Sequence, residues 1–147
     1  MIGFIPYSKK YEPACLSIFR SNIPEYFDPR EEQEFLYWIN GPGENTYFVM
    51  FDNLAATGCG GYFVDHENKE AGLAWGMIGL SSHKKGYGRK LTLYRLEIIE
   101  EKFPGYSILC RTSNKTFEFY QKMGFSILEI KKNGWGTGLD KYTMSKL

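Results

Sequence analysis

The sequence predicts one α/β domain with about seven strands and about four helices, in the order β-α-α-β-β-β-α-β-α-β-β. Three observations carry that expectation. Apolar residues switch between the alternation of strands and the 3.6-residue repeat of helices. Gly, Pro, Asn and Asp punctuate the switches. The chain has 147 residues at 43% hydrophobic content, enough for one sizeable core, and no linker or repeat divides it.

Taken in order, the opening "IGFIPY" alternates as a short strand ending near Pro6. Ala14, Cys15, Ile18 and Phe19 then recur at helical spacing, and "IPEYF" interrupts that helix. A second helix is signalled at "DPRE". Asp28 caps free N–H groups, Pro29 suits the first helical position, and Glu31 completes a capping-box-like arrangement. It stops at "GPG", residues 41–43. "TYFVMF", "LAATGCGGYFV" and "AGLAWGMIGL" read as three strands joined by the tight turn "DN" and the polar turn "DHENKE". A long amphipathic helix follows over roughly residues 86–102 and ends at Pro104-Gly105. Leu91, Tyr94 and Ile98 form its apolar stripe, widened by Leu96 and Ile99. "YSILCRT" reads as a buried strand and "SNKTFEFYQKMG" as a short helix capped by Gly124. "FSILEI" and "LDKYTMSKL" read as two last strands around a Gly-rich hairpin loop, "KKNGWGTG".

Composition narrows the function classes. A net charge of +1 argues against a general nucleic-acid binder, which needs a broad basic face. Cys15, Cys59 and Cys110 are odd in number and lack a Cys-x-x-Cys pair, which suits reduced thiols rather than disulfides or zinc. His66 and His83 lack a second ligand pattern, so no metal site is expected. No basic leader with an apolar core opens the chain, and no window approaches a membrane span. A cytoplasmic protein with no membrane partner is therefore expected, as a monomer or homodimer.

One segment carries chemistry. In "SHKKGYGRKL", residues 81–90, Lys84, Lys85, Arg89 and Lys90 gather without a nearby acid where a strand turns into a helix. Gly86 and Gly88 permit close backbone approach and unusual torsions. The unpaired N–H groups and dipole of a first helical turn attract anions. A pyrophosphate suits this cluster better than a single carboxylate, and a solvated basic helix start is the alternative. The segment is not a Walker loop, because Gly-Lys-Ser/Thr is missing, and it lacks the third glycine of a dinucleotide fingerprint.

Together with "SNKTFEFYQKMGF" downstream, "IGLSSHKKGYGRKL" resembles the coenzyme-A-binding region of the GCN5-related N-acetyltransferase (GNAT) family. The family pattern there is a strand, (Gln/Arg)-x-x-Gly-x-(Gly/Ala), then a helix. Here His83 stands in place of the Gln or Arg. Two ordered motifs and the matching element order extend the resemblance over nearly the whole chain. It implies a mixed, mostly antiparallel sheet whose splayed strands form an acetyl-CoA cleft. It also implies transfer of an acetyl group to a primary amine of a small molecule or protein, by direct attack in a ternary complex. A non-catalytic acyl-CoA-binding module of the same fold is the alternative. A phosphate binder of another fold accounts for the glycine turn but not for the downstream segment.

The resemblance also implies roles for residues. Ile78 and Leu80 would lie along the cofactor, with His83, Lys84, Lys85, Gly86, Tyr87, Gly88 and Arg89 around its pyrophosphate. Asn114 would contact the pantetheine region, or serve as a plain helix N-cap. Tyr120 would protonate the leaving thiolate, or be a core aromatic beside Phe117 and Met123. A phenol of pKa about 10 reaches a thiolate of pKa about 8.5 at an uphill cost of roughly 2 kcal/mol. A backbone N–H around Met77–Gly79 would face the oxyanion. No base is assigned, because Gly72 occupies the position where some relatives carry Glu, and Glu70 two residues earlier is better explained by its turn. Tyr26, Phe27 and Trp75 would wall the acceptor site, which "NGWGTG" could border. The acids of "IPEYFDPREEQE" either attract a cationic amine or cap the second helix. Cys110 is expected to be a buried structural thiol.

Overall fold

The computed structural model describes residues 1–146. Its elements are β1 (Ile2–Pro6), α1 (Glu12–Ser21), α2 (Glu31–Ile39), β2 (Tyr47–Asp52), β3 (Ala55–Asp65) and β4 (Glu70–Ile78). These are followed by α3 (Tyr87–Lys102), β5 (Ser107–Ser113), α4 (Phe117–Lys122), β6 (Ser126–Gly136) and β7 (Leu139–Lys146). The order is the one the sequence predicts; the last residue of the final predicted strand, Leu147, lies outside the described residues.

Seven strands form one sheet in the order β1-β2-β3-β4-β5-β7-β6. All neighbours are antiparallel except β4 and β5. A parallel pair needs a crossover, and α3 supplies it. One hydrophobic cluster unites α1 and α2 (Cys15, Ile18, Phe19, Phe35, Ile39) with Tyr47, Val49, Cys59 and Met77 of the sheet. A second unites Leu96 and Ile99 of α3 with Tyr62, Leu73, Ile108, Cys110 and Met144. No helix among the described residues is long and apolar enough to cross a membrane.

The reciprocal contact expected of Asp28 and Glu31 forms, but α2 begins at Glu31 with Arg30 as its N-cap, so Asp28 and Pro29 lie in the turn before the helix and not at its cap and first position. The Asp28 carboxylate accepts the Arg30 N–H at 2.9 Å, and the Glu31 carboxylate reaches back to the Asp28 N–H at 2.9 Å. Two further expectations shift. The "KKNGWGTG" segment is mostly strand, because β6 continues to Gly136 and only Thr137 and Gly138 separate it from β7. Side chains close this hairpin: the Asn133 N–H donates to Asp140 Oδ1, and the Gly138 N–H donates to Asn133 Oδ1. The buried face of α3 is also rotated from the predicted stripe. It consists of Leu91, Thr92, Arg95, Leu96 and Ile99, with Tyr94 and Ile98 at its margin.

The feature that positions the site is a fork in the sheet. β4 pairs with β5 only from Glu70 to Leu73, whereas its pairing with β3 continues to Ile78. Beyond Leu73 the β5-facing edge of β4 is open. A bulge falls at the fork: Gly61 opposes Ala74 and Cys59 opposes Met77, so Gly60 faces two residues, Trp75 and Gly76. Trp75 has φ +48°, a left-handed conformation that costs an aromatic residue on the order of 1–3 kcal/mol. The surroundings hold it there. Its ring packs on Phe35 and Phe27, with centroids 5.3 and 6.1 Å away, and its carbonyl accepts the Tyr47 hydroxyl at 2.7 Å.

Candidate active site

A cleft of about 840 Å³ opens at the fork. Its walls run from the glycine turn (Lys84, Gly86, Gly88, Arg89) along β4 (Ala74 to Ile78) to Tyr120 on α4. Glu31, Phe27 and Tyr26 line it from the side of α1 and α2.

The turn is shaped by backbone conformation. Lys84 at φ +64° and Gly86 at φ +82° are both left-handed, which reverses the chain between the end of β4 and the first turn of α3. A Cβ on Gly86 would meet nothing within 4 Å, so torsion rather than space calls for glycine there. Lys84 and Arg89 form no ion pair among the described residues, so both charges remain available to an anion. His83 has a structural task. Its Nε2–H donates to the Ile78 carbonyl at 2.8 Å, where Asn22 Nδ2 also donates at 2.9 Å, and its ring meets Tyr26 edge-on. The side chain at this position therefore ties the turn back to the end of β4.

Tyr120 lies on the cleft with its ring half-buried against Phe125. Burial pushes its hydroxyl up to about 12; the neighbouring Cys110 adds to the rise and Arg95 opposes it. Cys110 also lines the cleft, and burial holds its thiol at about 12, far from a nucleophilic thiolate. Arg95, only 1% exposed, forms part of the floor.

On the opposite wall, Glu31 is 5% exposed. One carboxylate oxygen accepts the Asp28 N–H, and the other has no protein partner among the described residues. Burial raises its pKa to about 7, with Glu34 and Asp28 adding to the rise and the backbone bond to Asp28 opposing it. Trp135 completes this end, its indole N–H donating to the Thr112 carbonyl at 2.8 Å, so the "NGWGTG" segment does border the cleft.

The structure brings together Ile78, His83, Lys84, Gly86, Gly88, Arg89, Tyr120, Tyr26, Phe27 and Trp75. Leu80, Lys85, Tyr87 and Asn114 do not line the cleft. Leu80 is exposed in the 3-10 turn after β4, and the Tyr87 hydroxyl donates away from the cleft to Asp52. Asn114 Oδ1 accepts the Asp140 N–H at 2.9 Å, and α4 begins only at Phe117, so this oxygen serves the β6–β7 hairpin instead of a helix cap. The Gly79 N–H is taken by the Thr57 carbonyl, which removes it from the expected oxyanion donors. Glu70 lies at the closed end of the fork, paired with Ser107, and lines no part of the cleft. Sequence reasoning missed two residues. Glu31 is both cap and wall, and only the first role shows in a motif. Arg95 stands midway between Leu91 and Ile99 at four-residue spacing, a helix-periodic signal masked by its charge.

An open sheet forked at a parallel pair, with a glycine turn and a helix N-terminus at the mouth of the fork, makes this an α/β domain with an open cleft between two strands. The chain belongs to the Acetyltransferase (GNAT) family, whose model matches residues 13–125. Solved structures share the fold at low identity. The ribosomal-protein alanine N-acetyltransferase of Escherichia coli is 18% identical at a TM-score of 0.79, over 99% of this chain and 93% of that one. Ard1 from Thermoplasma volcanium is 18% identical at 0.80, covering 99% and 96%. The NatC complex bound to Gag peptide and CoA contains a chain 16% identical at 0.77, covering 99% and 97%. No curated protein matches by sequence.

Proposed function

We propose that the protein is an acetyl-CoA-dependent N-acetyltransferase acting on a primary amine of a small molecule or protein, by direct attack in a ternary complex. One observation carries this reading. The fork joins the phosphate-type turn, an open strand edge, a phenol and a buried carboxylate in a single cleft. A cofactor with an anionic end and an extended polar arm fits those residues. Lys84, Arg89 and the N–H groups at the start of α3 would hold its pyrophosphate. The unpaired edge of β4 from Ala74 to Ile78 offers backbone groups to the arm. When bound, acetyl-CoA supplies the activated acyl group.

The chain's own residues divide the proton work. Glu31 would take a proton from the ammonium substrate, and a carboxylate of pKa about 7 is well matched to that task near neutrality. Tyr120 would return a proton to the sulfur. With its pKa at about 12, Tyr120 is a weaker acid than a thiol and the transfer is uphill, so Tyr120 needs help in stabilising the leaving group. Trp75, Phe27 and Tyr26 would wall the acceptor. Thiol release from acetyl-CoA over a panel of amines and peptides tests the reading. Turnover on at least one primary amine is expected. Cofactor binding without turnover on any of them favours the non-catalytic module, and no rise in melting temperature with CoA overturns the cofactor cleft itself.

A further inference from the structure

We propose that Arg95 is the counter-ion of the coenzyme A thiolate, its guanidinium receiving the negative charge that cleavage of the C–S bond leaves on sulfur. The inference rests on the acetyl-CoA reading above and assigns a residue that no motif marks. In the transfer the N–C bond forms, the C–S bond breaks and its electron pair stays on sulfur. The substrate nitrogen gives up two protons, the first from the ammonium to the Glu31 carboxylate before attack and the second to solvent from the tetrahedral intermediate. The thiolate is held by Arg95 until it takes a proton from Tyr120, which solvent then restores.

Four observations point this way. Arg95 is 1% exposed, yet the described residues contain no acid within ion-pair distance of it. Its Nε donates to Leu91 O at 3.3 Å and its Nη1 to Gly61 O at 3.2 Å, and the guanidinium lies against the Tyr120 side chain. Arg95 and Tyr120 both line the cleft, so the cation and the phenol face the same space. Finally, space has been made for the charge. A Cβ on Gly76 would fall 2.6 Å from Nη2, and one on Gly60 would fall 3.2 Å from the guanidinium carbon. Two strands at the fork thus omit side chains where this cation lies.

The titratable groups around it are Tyr47 from β2, Cys59 from β3, Cys110 from β5 and Tyr120 from α4, and burial drives each further toward its neutral form. A buried cation facing only neutral groups is unfavourable until a counter-charge arrives. Acetyl-CoA carries none near its thioester. The charge develops as the C–S bond opens, so the interaction is stronger in the transition state than in the ground state, which is the condition for accelerating the step.

The test is calorimetric titration of the full chain with CoA and with desulfo-CoA at pH 7, in buffers of different ionisation heat, so that proton release is counted. Wild type should release close to one proton per CoA, since the free thiol is protonated at pH 7, and bind CoA at least about tenfold more tightly than desulfo-CoA. Arg95→Leu should lose both properties and keep its desulfo-CoA affinity, with kcat lowered on the order of 10²–10³-fold at little-changed KM for acetyl-CoA. Arg95→Lys should restore part of the proton release. Gly76→Ala, which displaces the guanidinium without removing it, should reproduce the loss. Equal binding of CoA and desulfo-CoA by wild type, with no proton released, overturns the proposal while leaving the cofactor cleft standing. A wild-type preference for succinyl-CoA over acetyl-CoA that vanishes in Arg95→Leu also overturns it, in favour of an acyl carboxylate at the same cation. Failure of both CoA forms to bind overturns the cofactor reading and this inference with it.

Discussion

Replacing Glu31 with Gln should make the protein more stable and less active. The folded state holds this carboxyl at about 7, against 4.5 for an unburied one. Between those values the unfolded chain has released its proton while the folded chain still binds it. Stability therefore falls as pH rises through this window and levels off above 7. The shift corresponds to about 3.4 kcal/mol at 1.36 kcal/mol per pKa unit. Gln keeps an oxygen to accept the Asp28 N–H, so that bond survives the substitution. The net gain should therefore be about 3 kcal/mol above pH 7, or roughly 10 °C in Tm for a chain of this length. Denaturant unfolding of wild type and Glu31→Gln from pH 4 to pH 8 measures it. The two should nearly coincide at pH 4 and separate as pH approaches 7. Activity should move the other way. Wild-type kcat/KM should rise with an apparent pKa near 7, and the variant should lose that rise and about 10²–10⁴ in rate. A stability difference that is constant with pH, or that titrates near 4.5, would refute the assignment of Glu31 as a buried carboxyl of the cleft.

The remaining predictions concern the cofactor side. Tyr120→Phe should lower kcat on the order of 10²-fold with little change in KM for acetyl-CoA, measured as thiol release; unchanged kcat would remove Tyr120 as the acid. Gly88→Val should leave the protein folded, because a Cβ there meets nothing closer than Phe119 at 3.6 Å, yet abolish the rise in melting temperature that CoA produces, because the added bulk enters the cleft. The double change Lys84→Ala and Arg89→Ala should weaken CoA binding and flatten its dependence on ionic strength, as titrations at low and high salt would show.

The fold was legible where a segment's own pattern decides its structure. Helical spacing of Cys15, Ile18 and Phe19 becomes α1, and the Asp28–Glu31 reciprocity is written in "DPRE". The β6–β7 hairpin was less legible. Glycine-rich composition suggests a loop, whereas side chains seven residues apart, Asn133 and Asp140, draw the backbone into paired strands. The fork was not legible from local pattern, because it depends on where β4 stops pairing with a strand more than thirty residues away. The same limit applies to Asn114. Its local sequence suits a helix cap, but the partner that takes its oxygen, Asp140, arrives from a distant hairpin.

Glu31 and Arg95 share a deeper reason for having escaped notice. Rules that place charge at the surface are rules about solvation cost, and they hold wherever a fold gains nothing by bearing that cost. Glu31 sits at a helix start, where a carboxylate is normal, and Arg95 sits in the stripe of a helix, where a charge is normally an interruption. Both are nevertheless buried, on opposite sides of the fork, beside a Trp75 whose backbone is held left-handed by aromatic packing. Three unfavourable features within one cleft, a raised carboxyl, an uncompensated guanidinium and a strained bulge, are not what packing alone would accumulate. Under the reading proposed above each becomes favourable with a particular visitor: the carboxyl with a cationic amine, the guanidinium with a thiolate, and the bulge with a chain that needs an open strand edge. The local cost is thus informative, because its pattern matches the ligand proposed above, anionic at one end, extended along its length and reactive beside an amine.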